Sequence, residues 1–221
     1  SRQKGDRLLN AETDNQEQLL KEGKILPVME EFYTLQGEGF HTGKAAYFIR
    51  IGGCDVTCSW CDVKESWDAS RFPQLPVGEI VDRAAEFPAR SAVITGGEPL
   101  LYNLDLLCRS LREKHIQTFL ETSGSSPFSG AWDWICLSPK KDSPPLDELM
   151  QRADELKVVI AGAEDFGWAE ENSKRVRPEC LLYLQPEWCN RRSVMPLIVN
   201  YIQSNPNWRI SLQSHKYIGI P

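Results

Sequence analysis

Residues 52–64 read GGCDVTCSWCDVK and place three cysteines, Cys54, Cys58 and Cys61, at a spacing of C-x3-C-x2-C. The loop is rich in Gly, Asp, Thr and Ser, so it is not built to bury three thiols. Disulfides take cysteines in pairs. Structural zinc takes four protein ligands, usually from two paired knuckles, and there is no second knuckle here. One of His41, His115 or His215 would have to complete such a set from a distance. A [4Fe–4S] cluster held by three thiolates has one iron without a protein ligand, and a small molecule can chelate that iron. An open iron accounts for three cysteines without a fourth. Zinc closed by a histidine and a plain iron–sulfur electron carrier stand as the alternatives.

A loop of this kind must be held by a scaffold, and the pattern of the chain suggests which. AAYFIRI (45–51) is apolar and β-rich and runs straight into the cysteines. Further strands are expected at 91–99, 117–124, 132–140, 155–162, 181–187 and 207–216. Helices are expected at 77–87, 104–114, 146–153, 165–176 and 193–205, the last with Pro196 in its first turn. Strands alternating with helices imply parallel pairing. The expected fold is α/β, a partial, open (β/α) barrel of about six or seven mostly parallel strands, short of the eight that close a barrel. A doubly wound sheet is the alternative. Four strands end in small or polar groups: Thr95-Gly96-Gly97-Glu98, Glu121-Thr122-Ser123-Gly124, Ser138-Pro139-Lys140 and Gln185-Pro186. In parallel α/β folds ligands bind at that edge, so these groups and the cysteine loop are expected around one mouth.

Residues 1–24 are polar, and Leu8, Leu9, Leu19 and Leu20 suffice for a short amphipathic helix but not for a core. They read as a leader, mobile or weakly docked, with 25–221 as a single catalytic domain. A net charge of −6 over 221 residues gives no basic face for nucleic acid. The sequence has neither an apolar run of membrane-spanning length nor the apolar core of a secretory signal. A cytoplasmic protein is expected, and in that reducing setting the scattered Cys108, Cys136, Cys180 and Cys189 read as small hydrophobes or bystanders.

CDVTCSWC resembles the CxxxCxxC loop of the radical S-adenosylmethionine (radical SAM) enzymes, including the aromatic Trp60, and Gly96-Gly97-Glu98-Pro99 is similar to the GGEP element of that family. The stretches EEFYTLQGEGFHTGKAAYFIR, GGCDVTCSWCD, ITGGEP, ETSG, SPK, LQP and SLQSHKYIGIP, spread over 27–221, resemble the 7-carboxy-7-deazaguanine synthase family. The resemblance implies a lyase of 7-deazapurine (queuosine) biosynthesis. It would convert 6-carboxy-5,6,7,8-tetrahydropterin to 7-carboxy-7-deazaguanine with loss of ammonia, started by a 5′-deoxyadenosyl radical. The runner-up is another radical SAM enzyme, such as an activase acting on a protein glycine.

What the resemblance implies for single residues follows. Cys54, Cys58 and Cys61 would ligate the cluster. Trp60, Cys61, Asp62, Gly96, Gly97, Glu98, Ser123, Ser138, Pro139, Lys140 and Gln185 would meet SAM. The substrate would fall to Leu35, Gln36, Gly37, Glu38, Arg50, Thr95, His215 and Pro221, the last through its terminal carboxylate. Arg50 suits a carboxylate as a bidentate partner, and Glu38 suits the guanidine-like edge of a pterin. Many relatives have Thr after the Cys-Asp pair as a ligand to Mg2+; Val63 stands here, and valine offers no oxygen to a metal that takes oxygen ligands. Any Mg2+ would be held by substrate, water and groups such as Asp62, or would matter little. The family also implies a homodimer and an electron donor such as flavodoxin or ferredoxin.

Overall fold

Strand β2 (Ala45–Ile51) ends three residues before Cys54, and the sheet built around it decides what that loop faces. The computed structural model describes residues 2–53 and 68–221. Helix α1 (Arg2–Lys21) leads into β1 (Ile25–Leu35), which pairs antiparallel with β2. There follow β3 (Gln74–Pro76), α2 (Val77–Ala84), β4 (Ser91–Gly96), α3 (Asp105–Glu113), β5 (Gln117–Thr122) and β6 (Trp134–Leu137). The chain continues through α4 (Asp147–Arg152), β7 (Glu155–Ile160), α5 (Asp165–Ser173), β8 (Leu181–Pro186), α6 (Arg191–Ser204), β9 (Trp208–Ile210) and α7 (Ser214–Ile218).

All nine described strands form one open sheet in the order β3-β1-β2-β4-β5-β6-β7-β8-β9. From β2 to β9 every neighbouring pair is parallel. These seven strands are the ones the sequence pattern predicts. The two additional strands are antiparallel and sit together at one edge. Their sequences hide them: β1 contains Pro27 and a register shift between Val28 and Glu30, and β3 is three residues ending in proline.

Three boundaries differ from expectation. Residues 2–21 form a continuous helix, longer than the short amphipathic one expected, with Leu8 and Leu9 exposed. The last strand is shorter than 207–216 because a short helix starts at Ser214. Helix α6 begins at Arg191, which puts Pro196 inside it. The Glu187 carboxylate accepts from the amides of Cys189 and Asn190, at 3.2 and 2.9 Å, and so turns the chain into the helix early. Pro196 then has no N–H to offer the carbonyl one turn back.

Apolar spacing fixes how the layers pack. Helix α2 buries Val77, Ile80, Val81 and Ala84, and α3 buries Leu107, Cys108 and Leu111, each as a one-sided stripe. These meet Ile49, Ile51, Ile94, Leu120, Leu137 and Leu156 on one face of the sheet, in the main core. Side chains alternate along a strand, so the other face carries the intervening residues. There Ala46, Phe48, Val93 and Phe119 pack with Phe32 and Trp134. Beyond this small apolar patch, toward the C-terminal strand edge, the same face continues as Arg50, Thr95, Glu121 and Cys136. Three of the scattered cysteines, Cys108, Cys136 and Cys180, are buried and Cys189 is exposed.

Candidate active site

The GGEP turn is bonded to the strand that leads into the cysteines. Gly97 N donates to Ile51 O at 3.0 Å, and Glu98 N donates to Gly53 O at 2.8 Å. Gly96 has φ +139°, and a Cβ there would lie 2.0 Å from Ile51 O, so only glycine permits this approach. Tyr102 Oη donates to Gly52 O at 3.0 Å and closes the same corner. Cys54, Cys58, Trp60, Cys61, Asp62 and Val63 lie outside the described residues. What is described is the entry to that loop, Gly52 and Gly53, fixed against the GGEP turn and Tyr102.

The neighbouring strand ends are braced from within. Glu98 is 1% exposed, and its carboxylate accepts from Leu100 N, Thr122 Oγ1, Ser123 N and Ser123 Oγ at 2.7–2.9 Å. Burial pushes its carboxyl above the usual range, and these hydrogen bonds pull the other way. Ser138 N donates to Thr122 O at 2.8 Å, and Lys140 Nζ donates to Ser138 Oγ at 3.1 Å. Strands β4, β5 and β6 are adjacent and parallel, so Gly97, Ser123, Ser138, Pro139 and Lys140 share one rim. Two expected cofactor contacts are otherwise engaged. The Glu98 side chain is a brace beneath the rim, so any contact it makes there is through the backbone of its turn. Gln185, 5% exposed, donates from Nε2 to Glu38 Oε1 at 2.5 Å and accepts from Ser211 Oγ at 2.8 Å.

The residues expected at the substrate form a polar row across the inner face. Arg50 is in register with Thr95. Thr95 Oγ1 donates to Glu121 Oε2 at 2.9 Å, and Gln36 Nε2 donates to Glu121 Oε1 at 3.1 Å. Glu38 N donates to Gln36 Oε1 at 3.2 Å. Glu38 then meets Gln185 and, at 3.4 Å, Lys157 Nζ. At the near end Arg50 Nε donates to Glu30 Oε1 at 2.8 Å. The β1–β2 loop lies over this face: Phe40 N donates to Glu155 Oε2, and the Phe40 ring stacks on Trp134. The tail reaches the same loop. Ser214 N donates to Gly37 O at 2.9 Å, the His215 ring packs against Gly37, and Thr34 Oγ1 donates to Pro221 O at 3.3 Å. Leu35 ends β1 with an exposed side chain.

Sequence reasoning missed Lys157, Glu155 and Ser211. Burial opposes the Lys157 charge, but the neighbouring Cys136 thiol group and then the carboxylates of Glu38, Glu121 and Glu155 outweigh it and hold its pKa well above the usual lysine value. Glu155 is pushed up by burial, with Lys157 opposing. The signal lies in ELKVVI itself: two charges at alternate positions of an apolar strand must share a face.

The comparisons with known proteins agree with this geometry. The Radical SAM superfamily profile matches residues 48–166, more than half of the chain. The class is therefore set: this is a radical SAM enzyme, whose cofactors are a [4Fe–4S] cluster and SAM. A 7-carboxy-7-deazaguanine synthase of Flavobacterium psychrophilum is 52% identical over 91% of this chain and 96% of its own. One from Synechocystis is 45% identical over 88% and 93%. The crystal structure of QueE from Escherichia coli superposes with a TM-score of 0.78 at 28% identity, covering 89% of this chain and 97% of that one. The chain belongs to the 7-carboxy-7-deazaguanine synthase family.

Proposed function

We propose that this enzyme converts 6-carboxy-5,6,7,8-tetrahydropterin to 7-carboxy-7-deazaguanine with release of ammonia, within 7-deazapurine biosynthesis. The supporting observation is the polar row with Arg50 at one end and Glu38 at the other, beside the rim that carries GGEP. The substrate has a carboxylate at one end and a guanidine-like edge at the other, which suits such a row.

Cys54, Cys58 and Cys61 would hold the cluster, with Trp60, Asp62, the GGEP backbone, Ser123 and Ser138–Lys140 around SAM. Together these cofactors supply an electron and a hydrogen-abstracting adenosyl radical. The chain's own residues do the rest of the positioning. Arg50 grips the substrate carboxylate as a planar cation. Glu38 accepts from the amino-pyrimidine edge. Gln36 and Thr95, both bonded to Glu121, present fixed polar groups to the ring. The loop 36–44 and the tail 214–221 cover the mouth and exclude water, which protects radical chemistry from quenching.

Finer points belong to the same reading. Mg2+, if used, is held without a side-chain oxygen from Val63. The enzyme works in the cytoplasm as a homodimer, with flavodoxin or ferredoxin as electron donor. Among the described residues no helix is long and apolar enough to cross a membrane.

Anaerobic reconstitution tests the reading. The protein should carry about four irons per chain. With dithionite, SAM and the pterin it should release ammonia and form the deazaguanine chromophore. SAM cleavage without that chromophore would favour a different radical SAM reaction, and zinc in place of iron would end the enzyme reading.

A further inference from the structure

Lys157 is 6% exposed on the inner face of β7, and its role is not explained by packing alone. An ammonium can stay charged there only if compensated. Three carboxylates surround it, and two are already committed. Glu155 accepts from Phe40 N at 3.1 Å and Trp134 Nε1 at 3.0 Å. Glu121 accepts from Gln36 at 3.1 Å and Thr95 at 2.9 Å. The ion pair of Lys157 is with Glu38, at 3.4 Å from Oε2.

Glu38 sits on a loop, yet two strands reach its carboxylate and a third segment braces them. Lys157 comes from β7 and Gln185 from β8. Ser211, just after β9, donates to Gln185 Oε1 at 2.8 Å and accepts from Gly39 N at 2.9 Å. Such convergence is more than a loop anchor needs. An ionised carboxylate only accepts hydrogen bonds, whereas a protonated one also donates. Among the described residues Lys157 is the cation paired with Glu38; taking that charge away from beside Glu121 and Glu155 favours the protonated form of Glu38. It would then present a donor to the ligand.

We propose that Lys157 is a positioning residue that sets substrate specificity: it keeps Glu38 an anion, so that the site accepts the two N–H donors of a 2-aminopyrimidinone edge and rejects a ring with an acceptor there. This rests on the function proposed above. Lys157 itself does not touch substrate; it acts through Glu38.

The test measures binding rather than turnover. Reconstituted enzyme with SAM and no reductant is titrated anaerobically with the carboxytetrahydropterin, and with its analogue carrying oxygen in place of the 2-amino group. Wild type should prefer the pterin by roughly 30-fold or more, as expected for hydrogen bonds to a charged group. Lys157→Met should weaken pterin binding roughly 10- to 100-fold and leave the analogue nearly unchanged. In the double variant Glu38→Gln/Lys157→Met, pterin affinity should match that of Glu38→Gln to within about twofold, because the pair acts as a unit. Equal losses for both ligands in Lys157→Met, or a double variant clearly weaker than Glu38→Gln, would overturn the inference. If Lys157→Met does not fold, the double variant removes both members of the ion pair and decides alone. A wild type that ignores the pterin removes the proposed function and the inference together; one that binds it while Lys157 acts independently removes only the inference.

Discussion

The amide of Glu98 donates to the carbonyl of Gly53 at 2.8 Å, while the Glu98 side chain turns inward to Thr122 and Ser123. One residue thereby ties the entry of the cysteine loop to the ends of β4 and β5. Each carboxylate oxygen takes one backbone N–H, Leu100 N on Oε2 and Ser123 N on Oε1. A glutamine in its place must point its NH2 at one of those donors. Glu98→Gln should therefore destabilise the fold by about 2–4 kcal/mol, the cost of a buried donor left unsatisfied plus a lost charge-assisted bond. It should also lower SAM affinity by displacing the turn. Urea unfolding and equilibrium SAM binding check both effects, and a variant as stable as wild type would show that the brace is dispensable.

Gly37 lies so close to the tail that a Cβ there would sit 2.0 Å from His215 Nδ1 and 2.8 Å from His215 N. The ring can swing away, but the backbone nitrogen cannot without moving α7. Gly37→Ala should push the tail off the substrate loop and leave the GGEP rim intact. The expected result is retained reductive SAM cleavage with product formation reduced at least tenfold, in line with the cost of misplacing a closing element. Quantifying 5′-deoxyadenosine against deazaguanine in one assay separates the two. Unchanged coupling would mean that the tail does not close the site.

Much of this arrangement is legible in the sequence, for identifiable reasons. Six of the seven parallel strands are largely buried on both faces and read as short apolar runs, β9 being exposed at two of its three residues, and polar strand ends mark the rim. What hides is whatever depends on partners distant in the chain. Strand β1 carries Glu30 and Glu31 in tandem, which breaks its alternation. Both are explained only in three dimensions, where Glu30 pairs with Arg50 and Glu31 takes Arg83 of α2 at 2.6 Å. Gln185 lies near the end of a strand and reads as a rim residue, yet its amide is committed to Glu38, 147 positions away. Motif spacing locates the cofactor elements; the residues that hold Glu38 in place become visible only when four segments converge.

His41 offers a test in the acid range. Its ring stands edge-on to Phe119 and Trp134, each at 4.8 Å, and Nε2 is buried without a hydrogen-bond partner among the described residues. Burial lowers its pKa below the usual histidine value, and Lys44 adds to this. The unfolded chain binds the proton more readily, so the neutral ring's contribution is complete above about pH 6.5 and is lost as pH falls toward the lowered folded value. Unfolding free energy should therefore decline between pH 7.5 and 5.5. In His41→Phe, which keeps the aromatic contacts, that decline should be shallower. Identical slopes in the two proteins would assign the acid sensitivity elsewhere.

Arg50 is the residue on which the orientation of the substrate depends most directly. Its side chain is 19% exposed, and Glu30, 48% exposed, holds the Nε edge at 2.8 Å. An ion pair with so exposed a partner contributes little to stability, so removing Arg50 should barely change the unfolding midpoint. A substrate carboxylate drawn against this face is a different partner, because closure removes water from both charges. Arg50→Ala should then weaken pterin binding by about 2–5 kcal/mol, as for one member of a desolvated charged pair, while SAM is still cleaved on reduction. Arg50→Lys should recover only part of the loss, since a point charge cannot reproduce two parallel N–H donors. The discriminating result is the contrast between stability and affinity. If both change together Arg50 is a structural residue, and if neither changes the substrate carboxylate is gripped by another group.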